Sequence, residues 1–164
     1  MPLALIMVGL PARGKTYTAR RIARHLDWLG FRTQVFNVGN YRREMSGAQV
    51  PHHFFDPQNE AGLGARIRAA KSALTDMIDW FQRGGEVGVF DATNSTEIRR
   101  NWLLKKLAAR NIECAYIESI CLDEQIIETN IRSSKLSSPD YVDSTEKEAL
   151  VDFRARIAHY ESSY

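Results

Sequence analysis

Apolar residues along the chain alternate between short continuous runs and longer stretches at helical spacing. This is the pattern of βαβ units around a mostly parallel sheet, an α/β fold. Leu3 to Val8 is apolar throughout, as a strand covered on both faces must be. Thr33 to Val38, Glu86 to Asp91 and Glu113 to Cys121 carry β-branched and aromatic residues and predict three further strands. Between the first two, Lys15 to Leu29 repeats Ala19, Ile22, Ala23 and Leu26 on one helical face, and Gly30 supplies a C-terminal stop. Helices are also predicted over Glu60 to Gln82, Ser95 to Arg110, Asp123 to Ser133 and Thr145 to Tyr160. Trp28, Trp80, Phe81 and Trp102 lie in these helices and are expected to pack in the core.

Two stretches fit no regular element. Asn40 to Asn59 mixes Gly, Pro, His and a Phe pair, and Ser134 to Ser144 centres on Ser-Ser-Pro-Asp-Tyr, a run of turn formers. Both are expected to be loops over one edge of the sheet. No internal repeat or linker divides the chain.

The 164 residues are 44% apolar and 26% charged, the balance of one folded globular domain. Twenty-two Lys and Arg against twenty Asp and Glu leave a net charge of +2. That is too even for a chain whose task is to neutralise a nucleic-acid backbone, so no nucleic-acid partner is expected. No apolar run reaches the roughly 18 residues of a membrane span, and the first residues lack a charged leader and cleavage site. The expectation is a cytoplasmic protein without a membrane partner; nothing indicates a homo-oligomer. Cys114 and Cys121, seven apart on one predicted strand, would point to opposite faces and cannot bridge within it. Nothing calls for an oxidising compartment. His52-His53 lacks accompanying ligands at metal spacing and reads as a pair of loop histidines.

The chemistry concentrates in Gly9-Leu10-Pro11-Ala12-Arg13-Gly14-Lys15-Thr16, which matches G-x-x-x-x-G-K-[ST] between an apolar strand and an amphipathic helix. Its glycines let successive N–H groups and the helix N-terminus face a phosphate chain. Lys15 then neutralises β/γ-phosphate charge, and the Thr16 hydroxyl suits Mg²⁺. A nucleoside-triphosphate site also needs a carboxylate on a neighbouring strand, and Asp91 closes the apolar run Val87 to Phe90. Such an Asp also makes a good helix cap; the upstream motif favours the metal role. Thr93, two residues on, shares the face of Asp91 if the strand persists. Arg42, Arg43, Arg99, Arg100 and Lys135 gather where chain segments leave the sheet, the side on which open α/β sheets bind ligands. Arginine pairs suit a second phosphate, that of a sugar phosphate.

The wording of these motifs is also familiar. Residues 9 to 16, Phe-Asn-Val-Gly-Asn-Tyr-Arg-Arg at 36 to 43, Phe-Asp-Ala-Thr-Asn-Ser-Thr at 90 to 96, Ile-Glu-Ser-Ile-Cys at 117 to 121 and Ser-Ser-Pro-Asp-Tyr at 137 to 141 resemble the kinase domain of 6-phosphofructo-2-kinase/fructose-2,6-bisphosphatase. The resemblance runs in order from about Leu3 to Tyr164. It implies a three-layer P-loop kinase fold and transfer of the ATP γ-phosphoryl group to the 2-hydroxyl of fructose 6-phosphate, with ATP and Mg²⁺ as cofactors.

Carried over position by position, Gly9, Leu10, Pro11, Ala12, Arg13, Gly14, Lys15, Thr16, Tyr17 and Asn130 would bind the nucleotide. Thr16 and Asp91 would hold the metal. Arg42, Arg43, Thr93, Arg99, Lys135, Arg156 and Tyr160 would bind the sugar phosphate. Lys15, Asp91 and Lys135 would be catalytic, with Lys135 stabilising the group in flight. The resemblance departs at Asp56, where family members often carry an Arg for the sugar phosphate. The family's kinase domain also continues past the equivalent of Tyr164 into further strands and a histidine-phosphatase domain, so a single kinase domain over 1–164 without bisphosphatase activity is expected. Two other readings keep the P-loop: a kinase for another small hydroxyl acceptor, and an ATP-binding regulator without transfer.

Overall fold

Four parallel strands form one sheet in the order β2-β3-β1-β4, with β1 at Leu3–Val8, β2 at Thr33–Asn37, β3 at Val87–Asp91 and β4 at Glu113–Glu118. The computed structural model describes residues 1–135 and 138–164; Leu136, Ser137 and the side chains of Ser134 and Lys135 lie outside the described residues. The register pairs Ile6 with Phe90 and Asn37 with Asp91, so all strands present their C-terminal ends along one edge. The expected α/β architecture, β1 beside the strand that ends in Asp91, is what the chain adopts.

Successive side chains of a strand face opposite ways, and the two faces are covered separately. Leu5, Met7, Val87 and Val89 pack under α1 (Lys15–Trp28) through Ala19, Ile22 and Leu26. Ala4, Ile6, Phe36 and Phe90 face α3 (Glu60–Gln82) and α4 (Glu97–Ala108), meeting Ala73, Met77, Leu103 and Leu107. These are the three layers. A satellite core joins α5 (Glu124–Asn130) and α6 (Glu146–Glu161) to the loop after β1: Ile127, Ile131, Phe153 and Ile157 close on Ala12. Side-chain caps set the helix starts: Asn59, Thr96 and Asp123 each accept a backbone N–H, and Thr145 with Glu148 forms a capping box. No described helix is long and apolar enough to cross a membrane.

Four expectations change. The stretch expected to be irregular from Asn40 contains α2, Val38–Ser46, capped by Asn37 at its start and ended by Gly47 at φ 81°, and a 3-10 turn follows at His52–Phe55. Strand β2 stops at Asn37 because that side chain caps α2 through the Asn40 N–H. Strand β4 ends at Glu118, so Cys121 lies beyond it and the opposite-face argument does not apply; both cysteines are free thiols. Trp28 is 79% exposed rather than buried. It stands two residues beyond Leu26, about 200° around the helix from the buried stripe, and stacks on His25.

Candidate active site

The turn after β1 is shaped by three backbone positions that L side chains rarely adopt: Gly9 at φ 137°, Ala12 at 60° and Gly14 at 81°. Gly9 is also confined, since a Cβ there would lie 2.5 Å from the Ser119 carbonyl oxygen. Its N–H donates to the Thr93 carbonyl at 3.0 Å, and the Ser119 hydroxyl donates to the Arg13 carbonyl. The turn is therefore clamped between the segments that leave β3 and β4. Asn130 Nδ2 reaches the Ala12 carbonyl at 3.0 Å, tying the turn to the end of α5. Helix α1 opens directly on Lys15, buried beneath the turn with Nζ donating to the Leu10 carbonyl. Tyr17 is exposed and lies under the Arg21 guanidinium.

Asp91, the last residue of β3, is 2% exposed. Asn37 Nδ2 donates to its Oδ2 at 2.5 Å, which fixes the carboxylate. Thr16 is half-buried in the first turn of α1. Two oxygen donors of this kind, a hydroxyl and one carboxylate, suit Mg²⁺, which takes few protein ligands and completes its shell with water and phosphate. No group of three or more His, Cys, Asp or Glu able to hold a metal occurs among the described residues. His52 and His159 stack and share a hydrogen bond at 3.2 Å.

Beyond Asp91 the strand does not persist, and the chain turns at Asn94, a non-glycine residue at φ 44°. Asn94 Nδ2 donates to the Met7 carbonyl at 2.8 Å, while its buried Oδ1 finds no partner among the described residues. Arg100 Nη1 donates to the Asn94 and Ser95 carbonyls, so it braces the loop and is not an open anion ligand. Arg99, on the same first turn of α4, makes no side-chain hydrogen bond among the described residues and lies 5.4 Å above the Trp102 ring. Burial pushes its guanidinium pKa down; Tyr160 counters this, and the Arg66 cation adds to it. Thus Arg66, Arg99 and Tyr160, from α3, α4 and α6, converge. Arg13 to Glu161 at 3.6 Å holds the end of α6 against the phosphate turn.

A second cluster brings Arg42, Arg43 and Arg156 around one carboxylate. Arg42 Nη2 meets both oxygens of Asp140 at 2.9 Å, Arg156 Nη1 meets Oδ2 at 3.0 Å, and Arg43 Nη1 lies 3.7 Å from Oδ1. Arg42 and Arg156 also sit over the Phe55 ring, at 5.7 and 4.4 Å. Burial lowers the Arg42 pKa, with Asp140 opposing the shift. Asp56, which departs from the Arg that family members often carry, turns its carboxylate to the Gln58 N–H at 2.8 Å. The Asp56 carbonyl accepts instead from Arg66 at 3.2 Å.

The structure thus gathers the turn residues, Asp91 and Asn130 at one sheet edge, with Thr93, Arg99 and Tyr160 around it. Arg42, Arg43 and Arg156 form a braced group of their own, and the Lys135 side chain lies outside the described residues. Sequence reasoning missed Asn37, Arg66, Asn94 and Asp140. Asn37, directly before a short amphipathic run, carries a cap signal; Arg66 inside a long helix reads as one solvated charge among several, and nothing local marks it.

The profile of the 6-phosphofructo-2-kinase family matches residues 1–164. A 6-phosphofructo-2-kinase/fructose-2,6-bisphosphatase of Arabidopsis thaliana is 50% identical over 163 residues, covering 99% of this chain and 22% of that protein. The human 6-phosphofructo-2-kinase/fructose-2,6-bisphosphatase 3 is 44% identical over 164 residues, 32% of its length. The chain therefore spans between about a fifth and a third of these relatives. Among solved structures, the APS kinase of Mycobacterium tuberculosis in complex with AMPPNP and APS superposes with a TM-score of 0.60 at 16% identity, over 83% of this chain and 72% of that one. The likeness is one of fold, a P-loop kinase sheet with its flanking helices. With the family profile matched from end to end and two long relatives sharing nearly half of its residues or more, the chain belongs to the 6-phosphofructo-2-kinase family.

Proposed function

We propose that the chain transfers the γ-phosphoryl group of Mg·ATP to the 2-hydroxyl of fructose 6-phosphate, giving fructose 2,6-bisphosphate and ADP. The observation that carries the reading is the shared edge. The N-terminus of α1 with buried Lys15 follows β1, and the carboxylate of Asp91 closes β3, the strand beside it, while Arg99 of α4 stands close enough to Arg66 and Tyr160 to feel their charge. In this reading the N–H groups of residues 9–16 bind the triphosphate and Lys15 carries compensating charge. Thr16 and Asp91 hold Mg²⁺, which supplies charge neutralisation on the phosphate oxygens.

Arg99 and Tyr160 bind the acceptor phosphate, and Thr93 lies toward the sugar. Arg99 is suited to this because its guanidinium is partly desolvated, has no hydrogen bond to give up among the described residues, and stands beside a second cation. The oxygen of the 2-hydroxyl bonds to the γ-phosphorus as the bond to the β–γ bridging oxygen breaks, ADP leaves with that bond's electron pair, and the hydroxyl proton is released to water. Little covalent chemistry falls to the protein, whose contribution is alignment and compensation of charge. The reading gives Lys135 the charge on the transferred group. The chain belongs in the cytoplasm, where ATP and sugar phosphates are dissolved.

The test is incubation with Mg·ATP and fructose 6-phosphate, followed by assay for an acid-labile 2-phosphate. Product from the native chain that disappears with Lys15→Ala supports the reading. Absence of product, or equal product from Lys15→Ala, overturns it.

A further inference from the structure

Among the charged groups around the acceptor side, Asp140 stands apart because it faces cations from two elements far apart in sequence. Arg42 of α2 is 98 residues away and Arg156 of α6 is 16 away. Its side chain is 9% exposed, and those of the two arginines are 7% and 6% exposed. Two guanidiniums buried together repel each other, and one carboxylate between them removes that repulsion while using its own lone pairs. Each guanidinium is fixed on its far side as well. Arg42 Nη1 donates to the Gly47 and Ala48 carbonyls at 3.0 and 3.1 Å. Arg156 Nε donates to Asp152 at 3.0 Å and Nη2 to the Val50 carbonyl at 2.7 Å. The Phe55 ring is shared between the two. Both terminal nitrogens of Arg42 are thereby committed to protein acceptors, leaving Nε and the overall charge to act on anything else.

We propose that Asp140 is a positioning residue: it locks Arg42 and Arg156 into one fixed arrangement about Phe55, and through them holds α2 against α6 as a preset wall for the acceptor phosphate. The proposal rests on the kinase reading for the identity of that acceptor, and on the geometry alone for the lock. Three arginines with two carboxylates, Asp140 and Asp152, leave a modest positive excess. The wall therefore attracts an anion without having to rearrange for it. Asp140 also belongs to the short turn Pro139–Tyr141, whose Tyr141 hydroxyl donates to Asp152 Oδ2 at 2.7 Å. The chain returning from the Lys135 segment is thus pinned to the same carboxylate network that orients the arginines.

The test uses Asp140→Asn, which keeps the size and removes the charge, and Asp140→Glu, which restores the charge on a longer stem. Fructose 6-phosphate and AMP-PNP binding are measured by calorimetry, and guanidinium proton exchange at Arg42 and Arg156 by NMR. Asp140→Asn is expected to weaken fructose 6-phosphate binding about tenfold or more, the range lost when groups that orient a binding site are removed. AMP-PNP binding stays within about twofold, the Arg156 Nε–H exchanges faster, and Asp140→Glu recovers part of both losses. Unchanged exchange, or sugar-phosphate binding that stays level or tightens, overturns the inference, as does equal weakening of both ligands. A native chain that binds AMP-PNP but no sugar phosphate overturns the kinase reading, and the exchange measurement then decides the lock by itself.

Discussion

The Asn37 amide donates to the Asp91 carboxylate across the β2–β3 ladder, while the carbonyl of the same side chain caps α2 through the Asn40 N–H. One residue thus orients the proposed metal carboxylate and starts the helix that carries Arg42 and Arg43. Asn37→Ser keeps a good helix cap but removes the amide donor. The fold and melting temperature should change little, while kcat or Mg²⁺ affinity drops about 10- to 100-fold, as is usual when the partner of a metal-bound group is lost. Steady-state kinetics across a Mg²⁺ series measures this, and an unchanged Mg²⁺ dependence would remove the residue from the metal site.

Gly9 and Gly14 both have positive φ, but only Gly9 meets backbone where a Cβ would stand; nothing lies within 4 Å of that position at Gly14. Gly14→Ala should cost about 1–2 kcal/mol, the conformational penalty alone. Gly9→Ala adds the collision with the Ser119 carbonyl and should be clearly the less stable variant. Urea unfolding of the two proteins ranks them, and equal midpoints would contradict the argument.

Asn94 holds φ 44° and donates to the Met7 carbonyl. Asn94→Gly loses the hydrogen bond but accepts the backbone conformation, whereas Asn94→Ala loses both. Asn94→Ala should therefore be destabilised by roughly 1–2 kcal/mol more than Asn94→Gly, with calorimetric melting as the measurement. The reverse order would mean that the loop relaxes freely.

Arg154 and then Arg132 pull the pKa of Glu128 below its ordinary 4.5 by hydrogen bonding to the carboxylate. A group lowered on folding adds stability above its unfolded pKa and loses that contribution as pH falls through the folded value. Glu128→Gln should melt below the native chain at about pH 7, and the gap should narrow as the pH falls through the lowered pKa of the native carboxyl. A gap that persists in acid would trace to packing.

The turn after β1 was legible because its signals are local. Eight consecutive residues between an apolar strand and an amphipathic helix fix both the backbone path and the position of Lys15. Asp91 was legible from the same logic one strand away. Helix α2 was not, because Gly39 and Asn40 are poor helix formers, and a nine-residue helix lives on its cap and on packing that sequence periodicity cannot see. Trp28 was misjudged because periodicity marks a helix but does not say how far the sheet extends beneath it. The partner of Arg42 was beyond reach altogether. A positive pair after a strand reads as an open anion site, and only the folded chain brings Asp140 back to occupy it.

Gly9 is fastened through its own N–H to the Thr93 carbonyl and stopped from behind by Ser119, so the turn after β1 is part of the sheet's frame. A turn tied to two strands at once moves only as they move, so in the proposed reaction the triphosphate rests on a part of the molecule as firm as the sheet itself.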